Sequence, residues 1–193
     1  MIEGLSTGHR VVAFDNRGAG RSGKPDTPYS IELMAGDALG LMDALAIPRG
    51  AVLGISLGGR IAMELALRHP DRVERLILTS TSARVVRKPG RRWLWALLSG
   101  QPVLRSRHPQ PRYAFLRQFD ASSGYDATER LAQLTMPVLI LHGGRDRAAP
   151  PVLAEEMHDR IKGSRMVVFK GGHLFFYIRE PRRFLESVRD FLD

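Results

Sequence analysis

Five short apolar runs, separated by helical patterns, constrain the fold of this chain more than any other feature. Each run is continuous rather than alternating in hydrophobicity, which is typical of strands buried on both faces of a parallel sheet. We therefore predict an α/β fold, a doubly wound and mostly parallel sheet with about five core strands. The predicted strands are Arg10–Phe14, Ala51–Ile55, Val73–Leu78, Pro137–Leu141 and Arg165–Phe169.

Helical patterns fill the intervals between these runs. Further helices are predicted after Ser56, after Pro151 and after Pro181, because apolar residues recur there at helical spacing. The first long helix is predicted behind Ser30, a residue type that favours the N-cap position. Its apolar face would consist of Ile31, Met34, Ala38, Leu41 and Leu45.

Residues 82–135 interrupt the alternation of strands and helices. They contain four prolines and only two short helical patterns, around Arg92–Leu98 and Pro111–Phe119. We predict a core made of residues 1–81 and 136–193, with residues 82–135 inserted as a lid over the functional site. A solvated surface loop is the alternative interpretation of this segment.

The net charge of +9 comes from the same segment. No Asp or Glu lies between residues 84 and 117, and the rest of the chain has equal numbers of basic and acidic residues. No known nucleic-acid-binding module accompanies the basic residues, so we expect no nucleic-acid partner. The nine basic residues are Arg84, Arg87, Lys88, Arg91, Arg92, Arg105, Arg107, Arg112 and Arg117.

Several other classes of protein are not favoured by the composition. No apolar run approaches the roughly 18 residues that span a bilayer, and the first 30 residues do not resemble a signal peptide, so we expect a cytoplasmic protein without a membrane partner. The chain has no cysteine and no Cys/His cluster, and its carboxylates show no metal-binding spacing. We therefore predict neither a metal site nor a cofactor.

The sharpest local signal is the sequence Gly54-Ile55-Ser56-Leu57-Gly58-Gly59, between a predicted strand and a predicted helix. A strand that turns abruptly into a helix can present a serine hydroxyl clear of the sheet, and small flanking residues let the backbone pass without a clash. The pattern predicts Ser56 as a nucleophile. A serine that merely caps its helix is the alternative.

A serine hydroxyl needs a base that takes its proton and an acid that orients the base. Asp146 follows the strand Pro137–Leu141, and His173 follows the last predicted strand, so both lie at the carboxyl edge of a parallel sheet with Ser56. We predict Asp146 as the acid and His173 as the base. A turn aspartate and a loop histidine are the alternatives, with Asp120 or Asp126 as weaker candidates for the acid.

Four segments together resemble the α/β-hydrolase superfamily, especially its small bacterial esterases, enol-lactonases and carbon–carbon bond hydrolases. This resemblance implies a Ser-His-Asp triad of Ser56, His173 and Asp146, and it implies that the Leu57 N–H forms half of the oxyanion hole. The segments that carry the resemblance are Phe14–Ser22, Gly54–Gly59, Gly143–Asp146 and Gly171–His173.

The resemblance also implies elements that this sequence does not contain. Family members begin with a β-hairpin, a strand, a His-Gly loop that donates the second oxyanion N–H, and a helix whose end Met1–Leu5 resembles. The absent strand would lie between Arg10–Phe14 and Ala51–Ile55. We therefore expect either a sheet divided in two or direct pairing of those two strands. The sequence could also be a fragment of a longer hydrolase.

These features lead to one main functional hypothesis and two alternatives. The main hypothesis is a serine hydrolase that cleaves small carboxylic esters through an acyl-enzyme intermediate. The alternatives are a lactone or carbon–carbon bond hydrolase of an anionic ring-cleavage product, and a weakly active or non-catalytic protein. Apolar surface left by the absent elements predicts a homo-oligomer. That surface would comprise Val11, Val12, Phe14, Ile31, Met34 and Leu41.

Overall fold

The computed structural model of the chain describes residues 2–86, 107–173 and 176–193. At its centre is a four-stranded sheet in which every neighbouring pair of strands is parallel, so the α/β fold class is confirmed. The spatial order of the strands is their order in the chain. They are β1 (Gly50–Ile55), β2 (Val73–Thr79), β3 (Val138–Gly143) and β4 (Arg165–Phe169).

The prediction of a strand at Arg10–Phe14 is wrong. Among the described residues, no backbone hydrogen bond joins this stretch to another part of the chain. It lies across a cleft from β1, so the sheet is neither divided in two nor extended by direct pairing. Apolar composition makes a strand only when its N–H and C=O groups find a partner strand, and here none is within reach.

Seven α-helices lie in the described part of the chain. Ser30 caps the helix Ile31–Ala44 as predicted, because its Oγ accepts a hydrogen bond of 3.1 Å from the Leu33 N–H. The helices are α1 (Ile2–Ser6), α2 (Ile31–Ala44), α3 (Leu57–Arg68), α4 (Arg112–Gly124), α5 (Pro151–Arg160), α6 (Phe176–Arg179) and α7 (Pro181–Leu192). Short 3₁₀ helices cover Pro70–Arg72 and Thr128–Gln133. None of the helices in these described ranges is long and apolar enough to cross a membrane.

Alternate residues of the central strands supply two separate apolar cores. Leu76 and Leu78 of β2 face a core shared with α2, α3 and α5, whereas Ile77 between them faces α6, α7 and α1 on the other side. Phe169 stacks on Phe176 in the second core, with ring centroids 4.7 Å apart. Covering both faces with helices explains why the strand sequences are continuously apolar.

The apolar surface that the sequence predicts is present only in part. Val12 and Phe14 are 42% and 46% exposed, as predicted. Ile31 and Met34 of α2 are each only 1% exposed, because they pack into the first core. Their predicted exposure is therefore wrong, while Leu41, nearer the end of α2, lines the cleft beside β1.

The predicted lid is described at residues 82–86 and again at residues 107–135. The helical pattern at Pro111–Phe119 corresponds to α4, which extends to Gly124. The pattern at Arg92–Leu98 lies outside the described residues. The division into core and lid therefore stays a prediction.

Candidate active site

Ser56 lies at the abrupt turn between β1 and α3, in a left-handed backbone conformation with φ of +54°. A Cβ on Gly54 would lie 2.2 Å from the Gly58 carbonyl oxygen, and a Cβ on Gly59 would lie 2.5 Å from the Thr81 Cβ. These two positions therefore require glycine. Apart from its chain neighbours and the backbone of its own helix, a Cβ on Gly58 would meet no described atom within 4 Å, so the second glycine of the predicted motif is not needed to avoid a clash.

Leu57 is the first residue of α3, so its backbone N–H has no acceptor within the helix. Among the described residues, none accepts a hydrogen bond from it. The helix N-terminus carries partial positive charge next to the Ser56 hydroxyl. A negative oxygen that develops near Ser56 would be stabilised at this position.

Asp146 lies in the loop after β3, and only 3% of its surface is exposed. Its Oδ1 accepts hydrogen bonds of 2.8 and 2.9 Å from the N–H groups of Ala148 and Ala149. Its Oδ2 accepts one of 2.7 Å from His173 Nδ1. Burial by itself raises the pKa of Asp146, but the hydrogen bonds from His173 and the two backbone N–H groups outweigh it and hold the pKa below its usual value.

His173 lies in the loop after β4, with its Nε2 atom 2.9 Å from Ser56 Oγ. The loop fits against the Asp146 loop because Gly143 has no side chain: a Cβ there would lie 2.6 Å from the Gly172 carbonyl oxygen. Gly171 has a φ of +149°, a conformation that side chains rarely adopt. The structure thus brings together the three residues that the sequence predicts, Ser56, His173 and Asp146.

The hydrogen bonds fix which nitrogen of His173 carries the proton. A carboxylate with a lowered pKa only accepts hydrogen bonds, so Nδ1 donates to Asp146. In the neutral imidazole Nε2 then has a lone pair that faces the Ser56 hydroxyl. The arrangement can remove the proton of that hydroxyl.

The two ring nitrogens of His173 contact Asp146 and Ser56 rather than either of the alternative acids. Asp126 accepts a hydrogen bond of 2.9 Å from the Thr128 N–H, in a turn before the second 3₁₀ helix, and Asp120 is exposed on α4. A second histidine, His142, does lie near Asp146. Its Nε2 contacts the Ala149 carbonyl oxygen at 2.9 Å and lies 3.5 Å from Asp146 Oδ2, and burial lowers its pKa.

A cleft of about 1060 Å³ runs along the free edge of β1 and ends at Ser56 and Leu57. Its opposite wall is formed by Arg10–Phe14 and Asn16, and the end of α2 contributes Leu41. Ordinary ligand pockets have volumes of roughly 300–1,000 Å³. The cleft is therefore large for a small substrate, and it is open to the candidate nucleophile.

Comparison with known proteins identifies the family. A family model described as the alpha/beta hydrolase fold matches residues 1–123, more than half of the chain. The chain belongs to the α/β-hydrolase family. A second model, described as TAP-like protein, matches residues 117–193. The resemblance drawn from the four sequence segments is confirmed.

Relatives of this α/β hydrolase are named for several different activities. A putative carbamate hydrolase, RutD, from Azorhizobium caulinodans is 29% identical over 222 residues, which covers 99% of this chain and 84% of the relative. A pimeloyl-[acyl-carrier protein] methyl ester esterase from Neisseria meningitidis is 29% identical, covering 86% and 76%. The enol-lactonase from Burkholderia xenovorans LB400 superposes with a TM-score of 0.79 at 31% identity, covering 92% and 78%. The names of these relatives support a hydrolase activity for the family fold that this chain shares.

Two contacts at the site of this α/β hydrolase escaped the sequence prediction. Ser80 and Thr81, directly after β2, donate hydrogen bonds to the carbonyl oxygens of His173 and Ser56 respectively. The signal for them is the run Thr79-Ser80-Thr81-Ser82, four hydroxyl side chains immediately after a buried strand. Such a run at the carboxyl edge of the sheet lies where the site is expected.

Helix α4 of the hydrolase is attached to the loop between the cleft and α2. Tyr113 donates a hydrogen bond of 2.7 Å to the Lys24 carbonyl oxygen, and Arg117 forms an ion pair with Asp26 at 3.3 Å. Arg84, at the start of the predicted lid, forms an ion pair with Glu156 at 3.1 Å. Two arginines of the basic segment are thus already paired with acidic side chains.

Proposed function

We propose that this chain is a serine hydrolase that cleaves small carboxylic esters, with Ser56 as nucleophile, His173 as general base and Asp146 as the acid that orients it. The observation that carries the proposal is the continuous series of hydrogen bonds from Ser56 Oγ through His173 to Asp146, of 2.9 and 2.7 Å. The methyl ester esterase among its relatives supports the ester as the substrate class.

The proposed reaction proceeds in two steps. Ser56 Oγ bonds to the ester carbonyl carbon while its proton passes to His173 Nε2, and the carbonyl oxygen becomes an oxyanion beside the Leu57 N–H. The bond to the alkoxy oxygen then breaks, and that oxygen takes the proton from Nε2 and leaves as the alcohol. Water then attacks the acyl carbon while one of its protons passes to His173 Nε2. The bond between Ser56 Oγ and the acyl carbon breaks, Oγ takes the proton back from Nε2, and the carboxylic acid leaves.

The test is the hydrolysis of p-nitrophenyl acetate by the wild-type protein and by Ser56→Ala. We expect turnover in the wild type and its loss in the variant, because no other described hydroxyl contacts His173 Nε2. Ser187→Ala is the matched control, since Ser187 lies on α7 and bonds only the Arg183 carbonyl oxygen in the described structure. Equal turnover in wild type and Ser56→Ala would refute the assignment of the nucleophile.

A second candidate function is the hydrolysis of a lactone, or of a carbon–carbon bond in an anionic ring-cleavage product. The similarity to the enol-lactonase structure supports it, together with the basic segment, which could hold a substrate carboxylate. Arg84 and Arg117 are engaged with Glu156 and Asp26, so the other basic residues of that segment would have to bind the anion. Neutral esters hydrolysed far faster than anionic substrates at every salt concentration would contradict this candidate.

A non-catalytic protein that keeps the fold is the remaining alternative. Labelling with a fluorophosphonate probe separates it from the enzyme. A Ser56 whose base is in place reacts with the probe, so we expect labelling that is absent in Ser56→Ala. An unlabelled wild-type protein that is folded by circular dichroism would favour the non-catalytic alternative.

We also propose that the protein forms a homo-oligomer through its N-terminal part. The exposed Val12 and Phe14, next to the open edge of β1, are apolar surface that a second chain could cover. Light scattering at micromolar concentration tests this: a stable monomer near 21.5 kDa would contradict it.

The cytoplasmic location expected from the sequence stays a prediction.

A further inference from the structure

The candidate active site joins the two opposite edges of the sheet. Ser56 follows β1 and His173 follows β4, and these are the first and last of the four strands in spatial order. Neighbouring strands lie about 4.8 Å apart, so three such intervals place β1 and β4 roughly 14 Å apart. No ladder hydrogen bond connects the two edges directly. Small changes in sheet twist would therefore move the hydroxyl away from the imidazole.

One short segment contacts both residues across this gap. It is the run Thr79–Ser82 at the end of β2, and each of its four side chains is at most 1% exposed. Polar groups buried to this degree are costly unless they form hydrogen bonds. Three of these hydroxyls, on Ser80, Thr81 and Ser82, donate hydrogen bonds. Their acceptors are the carbonyl oxygens of His173, Ser56 and Arg84 respectively.

Thr81 contacts the backbone of the candidate nucleophile, Ser56. Its Oγ1 donates a hydrogen bond of 2.8 Å to the Ser56 carbonyl oxygen. Its Cβ is so close to α3 that a side chain on Gly59 would overlap it, at 2.5 Å. Thr81 thus holds the strained turn at Ser56 in two ways, by the hydrogen bond from its hydroxyl and by the close packing of its Cβ against Gly59.

Ser80 contacts the backbone of the candidate base, His173. Its Oγ donates a hydrogen bond to the His173 carbonyl oxygen, and its N–H donates one of 3.0 Å to Leu141 of β3. Its φ of +47° lies in the left-handed region, which a non-glycine residue rarely adopts. This conformation ends β2 and lets Ser80 reach past the end of β3 to the loop after β4.

We propose that Ser80 and Thr81 are positioning residues, which together set the distance between Ser56 Oγ and His173 Nε2. Because the two residues are consecutive, the backbone of the nucleophile and the backbone of the base are both attached to one peptide unit. This role rests on the function proposed above for Ser56 and His173. It extends that function to two hydroxyls that never touch the substrate.

The kinetic test compares variants that separate the hydroxyl from the backbone. Ser80→Ala removes the hydroxyl, and Ser80→Gly removes it while relieving the left-handed conformation. We expect both to lower kcat by about 10- to 100-fold with KM little changed, because a displacement of about 1 Å in a reacting group can cost about 100-fold. Thr81→Val should behave in the same way, whereas Thr81→Ser, which keeps the hydroxyl, should retain activity.

Thr79→Val is the matched control. The Thr79 hydroxyl belongs to the same buried run, but it has no hydrogen-bond partner in the described structure. We expect wild-type kcat in this variant. Wild-type kcat in Ser80→Gly, or a loss in Thr79→Val as large as in Ser80→Ala, would overturn the proposal, since buried packing alone would then explain the effects.

A spectroscopic measurement keeps the inference separate from the proposed function. The ¹⁵N resonances of the His173 imidazole report its hydrogen bonds to Ser56 and Asp146 without requiring turnover. We expect them to shift in Ser80→Ala and to stay unchanged in Thr79→Val. If the wild type cleaves no ester and resists the fluorophosphonate, the proposed function fails, and these resonances still decide the positioning role. Unshifted resonances in Ser80→Ala would overturn it.

Discussion

Replacing Asp146 by asparagine exchanges one carboxylate oxygen for an NH₂ group, and the surrounding hydrogen bonds determine which one. Oδ1 accepts from two backbone N–H groups, those of Ala148 and Ala149, at 2.8 and 2.9 Å. The amide oxygen must stay there, because an NH₂ group facing two donors would leave them unsatisfied. The NH₂ group therefore takes the place of Oδ2, opposite His173 Nδ1.

This exchange reverses the protonation of the imidazole. Nδ1 must now accept a hydrogen bond, so the proton moves to Nε2, where it points at Ser56 Oγ instead of receiving the proton of that hydroxyl. The same substitution in a serine protease lowers kcat about 10⁴-fold. A loss of that size corresponds to about 5 kcal/mol of transition-state stabilisation.

The assay is kcat for p-nitrophenyl acetate near neutral pH, with the melting temperature of each variant measured alongside. Asp159→Asn is the control, because Asp159 is exposed on α5. We expect Asp146→Asn to remain folded with almost no turnover and the control to match the wild type. A kcat within about tenfold of the wild-type value would refute the argument from the tautomer of His173.

Two further predictions concern stability. Gly54→Ala should lower the melting temperature strongly, because its Cβ would lie 2.2 Å from a backbone oxygen. Gly58→Ala should leave the melting temperature unchanged or raise it. The new Cβ would meet no described atom within 4 Å beyond its chain neighbours and its own helix, and alanine is favoured over glycine in a helix by about 1 kcal/mol. Burial would raise the pKa of Glu64, but hydrogen bonds from Arg130 and Arg68 hold it below the usual 4.5. The ionised Glu64 therefore stabilises the folded protein above that pH, and this contribution is lost as the pH falls through the folded-state pKa. Urea unfolding should therefore show a smaller loss of stability on acidification in Glu64→Gln; an equal loss would contradict the assignment to Glu64.

The three residues of the candidate site could be predicted because each of them follows a strand in the sequence. Three predicted strands are each followed by a chemically distinctive residue, and parallel strands bring those residues to one edge of the sheet. Ser56, Asp146 and His173 come together in this way although 117 residues separate the first from the last. Their local sequences also contain the glycines that the crossing backbones require.

What could not be predicted depends on partners that are distant in the chain. Arg10–Phe14 has the composition of a strand, but pairing requires a neighbour, and composition does not indicate whether one is present. Glu64 has Arg68 one helical turn away, which indicates an ordinary surface ion pair. Its side chain is instead completely buried, because Arg130, 66 residues further on, also reaches it.

The open edge of β1 has a consequence for amide hydrogen exchange. The Ser56 N–H bonds to the Thr79 carbonyl oxygen of β2, and backbone N–H groups point alternately to opposite sides along a strand. The N–H groups of Leu53 and Ile55 therefore face the cleft. They should exchange with solvent much faster than those of Val52 and Gly54 in the same strand, and the alternation should vanish when another chain pairs with this edge.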